Sequence, residues 1–269
     1  RENHLSVSIT DESTKFSQAT NCNTSIDLSE SFFDAWNCQD PNNPTNYWIY
    51  LPNDFELDID GYETSFCLTT EDVWVDPLNG MDEGNLIGDQ NNPFLTISHA
   101  LSMIAPSVED PLSVFLAEGI YSSSTNGEYF PILMTSNVEL RGFDERDDRV
   151  IDGDGQVDNV IKIENMENVK LSYLEFRGGE SPSNGGGIYI NNSSSIQLEH
   201  LSVRNNSAYE EGGGIYINDS QVEIIESTIE HNTAQGSGGG IAIANSEAFL
   251  DDVIIIENYA DAYGGGILL

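Results

Sequence analysis

Several residues in this chain have the types and spacing that chemistry uses. His200, Glu226 and Asp252 recur at one constant step, with Asp251 beside the last. Arg177 and Arg204 recur at nearly the same step. Two carboxylates held about 5–9.5 Å apart cleave glycosidic bonds, so Glu226, Asp252 and Asp251 are catalytic candidates, with the two arginines as cationic ones. Oxygen-rich loops form another set: Asp76, Asn79 and Asp82, then Asp152, Asp154 and Asp158. Such side chains hold calcium, the one cofactor the sequence suggests. The second loop has Val150 at the first position of the twelve-residue calcium pattern, so a tight turn is expected there first. Cys22, Cys38 and Cys67 match no zinc spacing and have no histidine nearby. One disulfide plus one free or intermolecular thiol is the expectation for an exported chain, with the pairing open. His231 is expected in solvent. No Ser-His-Asp or Cys-His arrangement suggests itself.

The elements that position these residues are set by a repeat. Gly-Gly-Gly-Ile occurs at Gly185, Gly212, Gly238 and Gly264, a nearly constant step. A fixed period of this size signals a solenoid. Apolar positions align between the triplets. Ile196, Val222 and Ala248 share one column, Leu198, Ile224 and Leu250 a second, and Val203, Ile229 and Ile255 a third. Each repeat breaks into short apolar-x-apolar pieces, which is strand periodicity. Three short strands per repeat predict one coil of a parallel β-helix, with coils stacked about 4.8 Å apart on a shared core. Asn206, Asn232 and Asn258 each follow the last core position by the same short interval, and a buried ladder of amides is expected there. The triplets are expected to serve positive φ or close approach at a corner. A phosphate cradle is the weaker reading, since neither a helix nor a Lys follows.

Residues 160–269 resemble the repeat of the polymorphic outer-membrane proteins. That motif pairs Gly-Gly-Ala plus an aliphatic residue with an aromatic-x-x-Asn. Here the words are Gly-Gly-Gly-Ile, with Val203-x-x-Asn206, Ile229-x-x-Asn232 and Ile255-x-x-Asn258 as the pairs. The resemblance implies a surface-exposed parallel β-helix. A second stretch runs from Val73-Trp74-Val75-Asp76-Pro77 through Gly80, Asp82, Gly84 and Gly88 to Pro93-Phe94-x-Thr96-Ile97-x-x-Ala100-Leu101. It resembles the N-terminal module of unknown function that precedes many bacterial right-handed β-helices. Thr96 or Ser98 is a credible helix cap, and Ile97, Leu101 and Ile104 give a helical face. A short helix there would cover the open end of the core and its strand edges.

The fold expected is therefore all-β: a right-handed parallel β-helix of about 26 residues per coil, with a short capping helix. The expected organisation is a polar tail or extended strand at 1–20, a small aromatic-rich β module carrying the cysteines at 21–72, the cap at 73–112, and the β-helix at 113–269. Hydrophobic residues make up 38%, as suits a thin core with much surface. The net charge is −37, from 46 acidic against 9 basic residues. That charge disfavours nucleic acid and anionic membrane surfaces as partners, and no apolar run is long enough to span a membrane. So acidic a surface suits a saline or calcium-containing exterior.

Parallel β-helices include pectate lyases, polygalacturonases and other polysaccharide-cleaving enzymes. A lyase of that type uses Arg or Lys as a base beside an acidic calcium site. The Asn-Thr-Asp and His-Gly words of polygalacturonases do not occur here. The first expectation is a non-catalytic, exported, cell-surface β-helix: an adhesin-like stalk or a filament subunit. A carbohydrate-active enzyme or glycan-binding module is the alternative. The sequence breaks off at Leu269 inside what would be a new strand, so a longer parent chain or head-to-tail association of copies is expected to cover that end.

Overall fold

A computed structural model describes residues 26–27, 36–37, 57–58, 67–82, 88–144, 148–156 and 158–269 of the chain. The chain divides into two compact units, Arg1–Thr69 and Thr70–Leu269. In the first, Ile26–Asp27 pairs with Leu57–Asp58, and Trp36–Asn37 with Cys67–Leu68, both in parallel. The tail expected at 1–20, the aromatic core expected at 21–72 and the side chains of Cys22, Cys38 and Cys67 lie outside the described residues.

The second unit is a parallel β-helix, as the repeat predicts. Its first face is a six-stranded sheet running from Ile132–Leu133 through Ile161–Glu164, Ile188–Asn191, Ile215–Asn218 and Ile241–Ala244 to Ile267–Leu268. A fourteen-stranded sheet bends at corners and supplies two more faces and a short fourth ladder. The second face stacks Val73–Val75, Leu112–Leu116, Val138–Gly142, and the leading halves of Glu167–Ser181 and Ser194–Arg204, then Gln221–Ile225 and Glu247–Asp251. The third stacks Gly119–Tyr121, Arg149–Gln156, the trailing halves of those two long strands, Thr228–Glu230 and Ile254–Ile256. A short fourth ladder pairs Glu180 with Ser207, and continues through Thr233–Ala234 to Tyr259–Ala260. Like residues stand over like: Ile188 on Ile215 on Ile241, and Ile196 on Val222 on Ala248. Ile190, Ile217, Leu198, Ile224, Val203 and Ile229 are fully buried, so alternate residues of every strand feed one continuous core.

The asparagine ladder is present. Asn206 Oδ1 accepts from Gly179 N at 3.0 Å, and Asn232 Oδ1 from Asn206 N at 3.0 Å. Asn258 Oδ1 accepts from Asn232 N at 2.9 Å. Each Nδ2 donates to a core strand's carbonyl, Phe176 O, Val203 O or Ile229 O, at 2.8–3.0 Å. The glycine triplet serves both expected purposes through different members. Gly212 has φ +67°, whereas Gly213 is packed so closely on Thr233 O and Gly239 O that a Cβ would collide with both. The remaining corners differ from expectation, because they are left-handed without glycine. In the coil from Gly212 they are Asp219, Glu226 and His231, with φ of 46°, 46° and 55°. Asparagine tolerates this region best, but the ladders on either side hold other types in it.

The helix Ile97–Met103 lies against Val73–Val75, Leu112–Leu116 and Ile132–Leu133, with Ile97, Ala100, Leu101 and Met103 buried. It covers the end of the core, with Thr96 as N-cap. Asp82 accepts from Leu95 N, Thr96 N and Thr96 Oγ1. Glu128, only 2% exposed, accepts from Ile97 N, Ser98 N and Tyr129 N. Burial raises the Glu128 pKa above the usual carboxylate range, against the lowering effect of those hydrogen bonds.

Two outcomes follow for stability. Asn232→Leu strands Asn206 N and Val203 O inside the core and is expected to cost about 2–4 kcal/mol in denaturant unfolding. Glu128→Ala is expected to cost about 3 kcal/mol, from the N–H groups it leaves unpaired. Because the folded pKa of Glu128 is raised, its contribution is full below its unfolded pKa and is lost as pH rises through the folded one. The cost of Glu128→Ala should therefore be larger at low pH than at neutral pH, as unfolding of both proteins across pH will show.

Candidate functional site

The structure assembles the chemically suggestive residues on the second and third faces. His200, Glu226 and Asp252 share a corner between them, with φ of 50°, 46° and 50°. His200 Nδ1 lies 3.3 Å from Glu226 Oε2. Asp251 stands in the neighbouring column, where Ile225 separates it from Glu199. These residues turn the chain between sheets, and their alignment follows from the coil period.

The same corner carries a ladder that the sequence reading did not find. Trp74 stacks on Phe115 with centroids 4.9 Å apart. The Arg141 guanidinium lies 5.8 Å from the Phe115 ring and 5.9 Å from the Tyr173 ring. Tyr173 stacks on His200 at 4.6 Å and 17°. One planar group per coil thus runs from Trp74 to His200 and ends on the Glu226 carboxylate. The signal was within reach, because Tyr173 precedes His200 by one full repeat, the step that also separates Gly185 from Gly212. The rings turn their faces to one another, so they add stacking energy between coils and present edges to solvent.

The arginines meet acids on the third face. Arg177 Nε donates to Asp152 Oδ2 at 2.7 Å and Arg177 Nη1 to Glu175 Oε1 at 3.4 Å. Arg204 Nη2 pairs with the same Glu175 oxygen at 2.7 Å. The hydrogen bond to Asp152 pushes the Arg177 pKa further above its already high value. Lys170 spans three coils, with Glu139 at 3.5 Å and Glu199 at 2.6 Å. The Lys170 hydrogen bond holds the Glu199 carboxyl below its ordinary range.

The oxygen-rich loops bond to themselves and to neighbouring backbone. Asp76 accepts from Leu78 N, Asn79 N and Asn79 Nδ2 at 2.8–3.0 Å. Burial alone would raise the Asp76 pKa, but these donors outweigh it and hold it low. Asp82 is taken up by the helix cap. Asp152 Oδ1 accepts from Asp154 N, Asp154 Oδ2 from Ser124 N, and Asp158 Oδ1 from Asn159 N. Among the described residues no three of His, Cys, Asp and Glu converge where one cation would sit.

Beside this charged face lies an open groove of about 320 Å³, lined by Ser113, Asn137, Glu139, Asn168, Lys170 and Gln197 among others. It crosses four coils near the corner between the first and second faces. Asn137, Asn168 and Ser195 all have positive φ there, and Asn168 Nδ2 donates to Asn137 Oδ1 at 3.0 Å.

Glu175 is the hinge of the charge network, and its side chain is only 12% exposed. Glu175→Ala is expected to cost about 1–3 kcal/mol, between an exposed and a buried ion pair, since it takes Glu175 from Arg204 and leaves Arg177 with Asp152. In a double-mutant cycle its coupling to Arg204→Met should be at least as large as to Arg177→Met, as the shorter contact dictates.

No helix of the described residues is long and apolar enough to cross a membrane. No curated protein matches the chain, and neither does any solved structure. One family matches residues 78–267, from the capping segment to the last described strand, and its description is "Protein of unknown function (DUF1565)". With most of its length matched, the chain belongs to the DUF1565 family.

Proposed function

We propose that the protein is a non-catalytic extracellular or cell-surface β-helix that serves as an adhesin-like stalk. One observation carries this reading. Three of the residues that looked catalytic are bonded from coil to coil, Arg177 to Asp152, Arg204 to Glu175 and Glu226 to His200, and His200 also stacks on Tyr173. Side chains committed in this way stiffen a stack. Head-to-tail association into filaments is the assembled form of the same reading, since the bonding that joins coil to coil also suits coils of two copies. The net charge of −37 supports an exterior setting, where salt and divalent ions screen it.

The groove at Lys170 favours glycan binding as a second reading. Its volume is at the lower end of ligand sites, and its amides, hydroxyls and single ammonium suit sugar hydroxyls and an acidic group.

Incubation with a panel of neutral and acidic polysaccharides separates these readings. The stalk reading expects intact polymers throughout. Cleavage that is lost in Glu226→Gln or Arg177→Lys would make the protein an enzyme instead. Binding without cleavage that weakens in Lys170→Met would place it among glycan binders. Electron microscopy of concentrated protein with calcium is expected to show filaments, and only monodisperse particles would count against assembly.

A further inference from the structure

Outward-facing positions change character at the coil 247–260. On the second face Gln197 and Glu223 lie in register with Phe249. On the third, Ser202 and Thr228 lead to Ile254, and Arg204 and Glu230 lead to Ile256. On the fourth ladder Ser207 and Thr233 lead to Tyr259. These positions point away from the core in every coil, because Val222, Ile224, Ile229 and Ala234 hold the inward ones. The direction is set by strand alternation and register, whatever lies beyond the coil. A change from polar to apolar on three ladders at one level makes a band of apolar side chains around the coil, interspersed with Asp251, Asp252 and Glu257, and outward apolar side chains gathered in this way mark an interaction site.

Charge identifies what fits it. Residues 205–269 contain no Lys or Arg, and Asp251, Asp252, Glu257 and Asp261 border the apolar side chains. Two copies meeting here would set these carboxylates against one another. A partner with Lys or Arg around its apolar side chains would gain on both counts. We propose that the outward face of the 247–260 coil docks a protein segment of alternating apolar and basic residues. This holds whether or not the solenoid is a stalk.

The test uses the full chain and a variant, Phe249→Glu, Ile254→Thr, Ile256→Glu and Tyr259→Thr. Each substitution installs the residue of the preceding coil, which folds with it, so the unfolding midpoint should stay near that of the parent. The probe is a labelled peptide alternating Lys with Ile, and its control alternates Lys with Ser. The parent should bind the Lys-Ile peptide at least tenfold more tightly than the variant does, more tightly than it binds the Lys-Ser control, and more weakly as salt rises. The variant carries two extra acids, so equal or tighter binding by it would mean diffuse attraction of a polycation, and would overturn the proposal. Sedimentation of the parent alone is the second arm. Self-association at moderate salt that the variant abolishes would make a second copy the occupant and equally overturn it. Failure of either arm leaves the polysaccharide experiments untouched.

Discussion

Asn232 has no exposed surface, and it accepts from Asn206 N and Asn206 Nδ2 while donating to Val203 O and Asn258 Oδ1. Every hydrogen-bonding direction at this corner is thereby used between coils. A parallel β-helix satisfies its strand interiors by ladder pairing, but each corner leaves backbone groups with no strand partner. The asparagine column removes that cost where the chain leaves the third face. The other features of the repeat are consistent with it. The triplet's middle glycine lets the returning chain approach Thr233 O, and Ala234 beside it is fully buried. One buried amide per coil fixes both the spacing and the register.

The stack must also tolerate its own charge. Like carboxylates repeated about 4.8 Å apart would repel along a whole column. The chain interleaves other groups instead. Gln197 Nε2 donates to Glu223 at 3.2 Å, Gln221 Nε2 to Glu247 at 2.8 Å, and Ser172 Oγ to Glu139 at 2.9 Å. Apart from Arg1 and Lys15, all Lys and Arg residues fall between Arg141 and Arg204. Of these, Lys170, Arg177 and Arg204 pair with acids across coils, and past Arg204 the columns rely on amides, hydroxyls and His231.

How much of this the sequence could reveal depends on where the period is strict. From Gly185 to Leu269 the step between triplets is nearly constant, and alternation fixes which side chains are inside, so the core columns, the Asn ladder and the glycine corners were legible. The capping helix was legible from Thr96 and its apolar face. The corners were less legible, because Glu226, His231 and Asp252 adopt a backbone conformation usually left to glycine or asparagine, which their types do not announce. Earlier in the chain the coils lengthen: Val138 pairs with Val169, and Val73 with Val114, each pair further apart in sequence than successive triplets. With the period lost, nothing in the sequence brought Trp74, Phe115 and Arg141 into one ladder. Glu128 is a single acid in a loop, and only the fold shows that it closes the helix end.

The central claim is that the polar corners bind the coils together as firmly as the core strands do. Amide hydrogen exchange resolved by residue tests it most directly. The N–H groups of Asn206 and Asn232 donate to the side chain of the next coil. They should exchange as slowly as those of Val203 and Ile229, as one cooperative unit opening together. Rapid exchange at Asn206 and Asn232, with the flanking strand amides still protected, would contradict the claim and leave the corners as ornament on a core that holds without them.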